Sequence, residues 1–171
     1  QDVIDILLSK GVITVVAAGN NSINLDSSDF FPANCKRVLA VGATNVNGNL
    51  SGYSNYGEKL IYAPGGDHNR GIYSTFVSDS DSDSDNLDSS FGTMMGTSMS
   101  APHVSALVAI IKANYPTLGV GSIRDILVKS RNDFGVVSYK NMISILDDEA
   151  FEVISETTDL RTDSFRSEDK D

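Results

Sequence analysis

The chain has 171 residues, which is enough for one domain with a sizeable core and few for two. Hydrophobic residues make up 40% and charged residues 21%, and no apolar run approaches the roughly 20 residues that a membrane span needs, so we expect no membrane partner. The formal net charge of −10 is concentrated in residues 79–88 and 147–171, and the nearly neutral remainder excludes a basic surface for nucleic acid.

The first half of the chain predicts helices and buried strands in alternation. Residues 3–8 carry apolar side chains at the spacing of one helix face, and Lys10 and Gly11 are typical of a helix end. Apolar runs without alternation follow, as in parallel strands that are buried on both faces. This pattern favours an α/β fold. The predicted strands span 12–18, 38–43, 60–63 and, more weakly, 72–76.

An acidic stretch of alternating serine and aspartate begins at Ser78, and we place a surface loop at 78–90. It offers little to bury, which predicts a disordered or extended segment. Calcium binding is the alternative, because hard cations bind clustered carboxylates. The run lacks the glycines and the terminal glutamate of a defined calcium loop, so this alternative is the weaker one.

The second half of the chain is predicted to be helical. A helix from Ser98 to Asn114 carries a broad apolar stripe, a second spans 122–130 with Ser122 as its N-cap, and a third spans 141–146. The acidic tail at 147–171 is expected to fray after Phe151.

Ser98 stands between a glycine-led turn and the first turn of the long apolar helix. Its hydroxyl would lie near unpaired backbone N–H groups at the positive end of the helix dipole. Gly96 would let another chain approach closely. Both features suit a nucleophile whose attack creates an oxyanion. The alternative from these residues alone is that Thr97 or Ser98 merely caps the helix.

Five segments of the chain resemble motifs of the subtilisin-like serine proteases and occur in the order of that family, and the resemblance covers roughly residues 1–146. The nine residues from Gly96 to Val104 resemble the nucleophile motif, which is the most specific of the five. The segments are Ala17-Ala18-Gly19-Asn20, Val41-Gly42-Ala43-Thr44, Tyr53-Ser54-Asn55-Tyr56-Gly57, Ala63-Pro64-Gly65 and Gly96-Thr97-Ser98-Met99-Ser100-Ala101-Pro102-His103-Val104.

The resemblance implies an α/β three-layer sandwich with a mainly parallel sheet, of which this chain would be the C-terminal half. It implies a serine endopeptidase that acts on proteins or peptides through an acyl-enzyme on Ser98. Asn20 would donate its side-chain amide to the oxyanion, together with the backbone N–H of Ser98. The positions that it implies for substrate binding are Ala17, Ala18, Gly19, Phe30 and Thr97.

Phe30 and its neighbours fall where the family closes the pocket for the residue before the cleaved bond. If Phe30 lies at the pocket base, the pocket is shallow and large side chains fit poorly; alternatively, Phe30 packs outward against its loop. The Phe31–Pro32 bond matches a bond that is cis in the family.

The mechanism also needs a general base and a carboxylate that orients it, and neither is evident here. His103 matches a structural histidine of the family, and His68 lies in a loop beside Asp67, where neighbouring residues rarely form a base and its orienter. The chain contains no Asp-Thr-Gly, Asp-Ser-Gly or His-Gly-Thr-His segment. The resemblance therefore implies that the missing N-terminal half of the domain supplies both residues as a partner.

Cys35 is the single cysteine of the chain. It is either a small buried hydrophobe or, as the resemblance implies, the partner of a cysteine upstream. The resemblance also implies secretion and no required cofactor, with a structural calcium ion allowed at the carbonyls near Ala33, Cys35 and Val38.

Two further expectations concern the whole chain. An inactive fragment or pseudoprotease that acts as a binding protein is the alternative to an enzyme, because truncation would leave Ser98 and Asn20 intact. We also expect the isolated chain to be insoluble or molten, since its strands would expose faces and an edge that the missing half covers.

Overall fold

The computed structural model describes residues 1–77 and 89–147, which form a mixed α/β structure. The strands are β1 (Val15–Ala17), β2 (Leu39–Thr44), β3 (Ile61–Pro64), β4 (Ile72–Val77) and β5 (Ser89–Met94). The helices are α1 (Asp2–Ser9), α2 (Thr97–Asn114), α3 (Val120–Lys129) and α4 (Tyr139–Asp147).

The main sheet of the described residues has the order β1-β2-β3, and its strands are parallel. Val16 pairs with Ala40, and Val41 pairs with Ile61. Every residue of β2 is buried because this central strand has a neighbour on each edge and a packed layer on each face. The predicted burial of the first strand is wrong: β1 is shorter than expected and half-exposed, since it lies at the edge of this sheet.

Packed layers cover both faces of the sheet. On one face, Leu39, Val41 and Ile61 join a core that α2, α3 and α4 complete, with Ile111 among its fully buried side chains. On the other face, Ala40 packs in a smaller core with Ile4 of α1 and with residues of the 25–38 segment. The predicted three-layer α/β architecture is thereby confirmed.

An antiparallel pair, β4 and β5, leads into α2. We did not predict β5, because Ser89, Ser90, Gly92 and Thr93 leave this strand without an apolar pattern. Its first two residues fall in the stretch that we assigned to the acidic loop. The remainder of that loop, 78–88, and the tail from 148 onward lie outside the described residues.

The three predicted helices of the second half are present with shifted starts. The capping role of Ser122 is wrong: α3 begins at Val120 with Gly119 as its N-cap, which leaves Ser122 buried inside the helix. Val120 packs against the main core, and this contact accounts for the earlier start. No helix of the described residues has the length and apolarity that would take it across a membrane.

Candidate active site

The C-terminal end of β1 meets the N-terminus of α2 through hydrogen bonds between residues that lie far apart in the sequence. The Thr97 N–H and hydroxyl both donate to Asn20 Oδ1, at 3.0 and 2.9 Å. The Gly19 N–H donates to Thr97 Oγ1 at 3.1 Å. An amide nitrogen could not accept the Thr97 N–H, so these bonds fix the orientation of the Asn20 side chain and leave its Nδ2 for another partner.

Two nitrogen atoms that carry N–H donors lie close to Gly96. A Cβ atom on Gly96 would lie 3.4 Å from Asn20 Nδ2 and 3.8 Å from the Ser98 nitrogen. Within the described residues, neither nitrogen has a hydrogen-bond acceptor, and the Ser98 side chain next to them is exposed. Gly96 has a φ of 146°, a conformation that favours glycine, and it serves as the N-cap of α2. The arrangement can bind an anionic oxygen at the positive end of the α2 dipole.

Phe30 lies against the strand end that we predicted as the pocket wall. A Cβ atom on Gly19 would lie 2.4 Å from the Phe30 ring, so the ring covers this backbone instead of packing outward. The Asn34 side chain holds Phe30, since its Oδ1 accepts the Phe30 N–H at 2.9 Å. The Phe31–Pro32 bond is cis as predicted, and the Phe31 side chain is 67% exposed.

The loop that carries Asn20 has a buried partner that sequence reasoning missed. Asn55 is fully buried and makes side-chain hydrogen bonds to Ala18, Asn21 and Ile23. It belongs to one of the five motifs, but its partners lie 32 to 37 residues away, and no periodicity in the sequence links them. A buried asparagine in a loop signals only that its polar groups must be paired.

A turn next to α2 is held by Tyr53, whose hydroxyl donates to the carbonyl oxygens of Gly65 and Gly66 at 2.9 and 2.8 Å. Burial raises the pKa of Tyr53 above its ordinary value, so that the hydroxyl keeps its proton for these bonds. The carbonyl oxygen of Gly65 in turn accepts the Gly96 N–H at 3.0 Å. The turn thereby supports Gly96, which lies close to Asn20 Nδ2 and the Ser98 N–H.

Neither histidine is bonded to the candidate nucleophile. His103 Nδ1 pairs with the carbonyl oxygen of Met99 at 2.8 Å, and His68 is exposed in its loop. Asp67 accepts the N–H groups of Asn69 and Arg70 at 2.9 and 3.0 Å and so holds the loop turn. Across residues 1–77 and 89–147, no side chain hydrogen-bonds to the Ser98 hydroxyl.

Metal binding by side chains finds no support in the described ranges, where His, Cys, Asp and Glu do not gather in groups of three. The calcium expectation depends on backbone carbonyls and stays a prediction. Cys35 is a half-buried free thiol that packs against the smaller core.

Comparison with known proteins gives a consistent result. The profile of the Subtilase family, Peptidase_S8, matches residues 2–157. An "Extracellular basic protease" of Dichelobacter nodosus is 38% identical over 139 residues, covering 78% of this chain and 22% of that protein. "Subtilisin DY" of Bacillus licheniformis is 31% identical over 149 residues, covering 85% of this chain and 49% of that protein.

Solved structures show the same fold. A protease from Pseudoalteromonas arctica superimposes with a TM-score of 0.70 at 35% identity, covering 80% of this chain and 40% of that one. The nisin leader peptidase NisP of Lactococcus lactis, at 20% identity and a TM-score of 0.69, shares the fold. The chain thus spans between about a fifth and a half of these proteins.

Proposed function

The chain belongs to the subtilase family, and on that premise we propose that it is the C-terminal part of the catalytic domain of a secreted serine endopeptidase. In this proposal Ser98 is the nucleophile, and Asn20 Nδ2 and the Ser98 N–H bind the oxyanion. One observation carries it: both donors lie close to Gly96, next to the exposed Ser98 side chain, with the Asn20 amide oriented by Thr97.

The proposed chemistry follows from this arrangement. Ser98 Oγ attacks the carbonyl carbon of the peptide bond, its proton passes to a general base, and the carbonyl oxygen becomes an oxyanion. The two N–H donors stabilise that oxyanion. The general base then gives its proton to the amine nitrogen as the C–N bond breaks, and the amine leaves. Water then hydrolyses the acyl-enzyme and restores the serine. Loss of the corresponding asparagine in a subtilisin lowers the rate about 10²–10³-fold, a magnitude that we carry over from that relative.

The proposed partner is the N-terminal half of the same domain, which would supply the histidine base and its orienting aspartate. Support comes from the Ser98 hydroxyl, which bonds to neither histidine of the chain. The 49% share of the Bacillus relative that the chain covers fits a missing half. The coding sequence upstream of Gln1 tests this directly. It should encode an aspartate strand motif and a His-Gly-Thr-His segment in frame, and a stop codon there would contradict the proposal.

The proposed substrate is a protein or peptide with a small side chain before the cleaved bond. The Phe30 ring lies against Gly19, where a larger substrate side chain would need space. No cofactor takes part in the proposed reaction.

Substitution of the nucleophile tests the activity itself. In the complete secreted protein, we expect Ser98→Ala to lower peptide hydrolysis by at least about 10³-fold, because the attacking oxygen is lost. Ser9→Ala is the matched control: Ser9 is an exposed serine at the end of α1, and its hydroxyl bonds to the Ile6 carbonyl oxygen. Hydrolysis by Ser98→Ala at the wild-type rate would contradict Ser98 as the nucleophile. Absence of hydrolysis by the wild type would favour a binding protein instead.

A further inference from the structure

Asn55 forms hydrogen bonds to the loop that carries Asn20, on both sides of Asn20 in the sequence. Its Oδ1 accepts the N–H groups of Asn21 and Ile23 at 2.9 and 3.0 Å. Its Nδ2 donates to the carbonyl oxygen of Ala18 at 2.8 Å. One side chain thus bonds to the backbone before and after Asn20.

The backbone of Asn55 adds a fourth link. Its N–H donates to the carbonyl oxygen of Gly19 at 2.9 Å, and its own carbonyl oxygen accepts the Ser54 hydroxyl at 2.8 Å. That hydroxyl also accepts the Ala43 N–H, so these hydrogen bonds connect Asn55 to the central strand β2. Asn55 is 0% exposed, and its Nδ2 lies close against Gly19, where a Cβ atom would approach it to 2.6 Å.

We propose that Asn55 is a positioning residue for the oxyanion donor, and this inference depends on the function proposed above. Asn20 is itself exposed, and among the residues that the structure describes, the hydrogen bonds to its side-chain amide come from Thr97 alone. The backbone of its loop takes its shape from Asn55. An oxyanion donor acts only within about 2.7–3.1 Å of the developing charge, and a displacement of 1 Å can cost about 10²-fold in rate.

A purely structural role is the competing explanation, and the chain offers a matched asparagine for comparison. Asn132 Oδ1 also accepts two backbone N–H groups, from Phe134 at 3.0 Å and Val136 at 3.1 Å. It shapes a turn between α3 and α4. Asn132→Asp therefore removes the same amide group without touching the Asn20 loop.

Asn55→Asp keeps the shape and both acceptor bonds but replaces the donor to Ala18 with an oxygen. In the complete secreted protein, we measure kcat per active site titrated with a serine-directed fluorophosphonate, so that unfolded molecules do not count. We expect kcat to fall about 10- to 100-fold. In an Asn20→Ala background the same substitution should lower kcat less than about threefold, because the donor that it misplaces is already absent. Asn132→Asp should leave kcat unchanged.

The outcomes separate the two explanations. An equal fall of kcat in both backgrounds, or no fall in the wild-type background, would overturn the positioning role. Where Asn55→Asp yields no titratable enzyme, Asn55→Ser replaces it, because serine leaves room for a water molecule. Its kcat is compared in the wild-type and Asn20→Ala backgrounds by the same criteria. A wild-type protein without peptidase activity would instead overturn the proposed function, and the inference with it.

Discussion

Thr97 links the start of α2 to the loop after β1, because it bonds to both Gly19 and Asn20. Its hydroxyl accepts the Gly19 N–H and donates to Asn20 Oδ1. In Thr97→Val, which keeps the side-chain shape, the Gly19 N–H would lose its acceptor and Asn20 would lose one of two donors. A lost hydrogen bond of this kind is worth about 1–2 kcal/mol, so we expect kcat/KM to fall roughly 10-fold.

Thr97→Ser provides the contrast for that prediction. It retains the hydroxyl and should keep kcat/KM within about threefold of the wild type. Steady-state kinetics on one peptide substrate measures both variants. A loss in Thr97→Ser as large as that in Thr97→Val would contradict the hydrogen-bond explanation, because Thr97→Ser keeps the hydroxyl.

Phe30 is expected to control which side chain the substrate can have before the cleaved bond. Its ring lies against Gly19, so Phe30→Gly should open space for a large side chain before the cleaved bond. We expect kcat/KM for a substrate with phenylalanine at that position to rise at least about 10-fold relative to one with alanine, since each buried methylene contributes about 1 kcal/mol. Phe31→Ala, whose parent side chain is 67% exposed, should leave the ratio unchanged. A constant ratio in Phe30→Gly would place the pocket elsewhere.

The candidate site could be predicted from the sequence only where residues stand in recognisable local strings. Ser98, Thr97 and Asn20 lie in such strings, and the structure brings them together. The packing of Phe30 could not be decided, because nothing local shows which way a loop side chain turns. The role of Asn55 could not be foreseen either, since its bonds join segments more than 30 residues apart.

At the scale of elements, the turn after β3 presses closely on the start of α2. A Cβ atom on Gly65 would lie 2.4 Å from Ser100 Oγ and 2.5 Å from the Ala43 Cβ. We expect Gly65→Ala to destabilise the complete protein by about 1–3 kcal/mol, because the added methyl group overpacks this contact. It should also lower activity, since the Gly65 carbonyl oxygen accepts the Gly96 N–H.

Gly121→Ala is the control for overpacking, because a Cβ atom there meets nothing within 4 Å. Gly121 is the second residue of α3, so this change should stabilise the protein only slightly, by less than the roughly 1 kcal/mol of a helix interior. Urea unfolding measures both variants. If Gly65→Ala unfolded at the wild-type urea concentration, the turn would be free to move away from α2.

Elements with a strong apolar pattern were predictable, and the others were not. β2 is buried throughout, so its sequence shows an unbroken apolar run. β5 is defined by its pairing with β4, which its serines and glycine do not reveal. The start of α3 depends on a tertiary contact of Val120, and a good capping residue such as Ser122 could not indicate it.

At the scale of the whole molecule, the apolar surface is uneven. A groove of 490 Å³ lies between the α1–β1 segment and α2. One edge of β1 pairs with no described strand. Val3 and Ile6 of α1 are 69% and 55% exposed nearby in the sequence. Exposed apolar side chains and an open strand edge both favour association with another chain segment. The groove is lined by Leu7, Gly11, Val12, Ile13, Thr14, Val15, Ser105, Val108, Ala109 and Lys112.

The isolated chain should therefore fail to fold cooperatively, whereas the complete domain should fold. β1 is half-exposed and lies at the edge of the described sheet. Without a segment that covers this strand, its backbone and side chains stay in contact with water. We expect the purified 171-residue chain to bind the dye ANS, to lack near-UV circular dichroism and to melt without a sharp transition, as molten states do. Co-refolding with the upstream half should restore the near-UV signal and suppress dye binding. A sharp thermal transition of the isolated chain would show that its two cores suffice, and the groove would then need no upstream half to cover it.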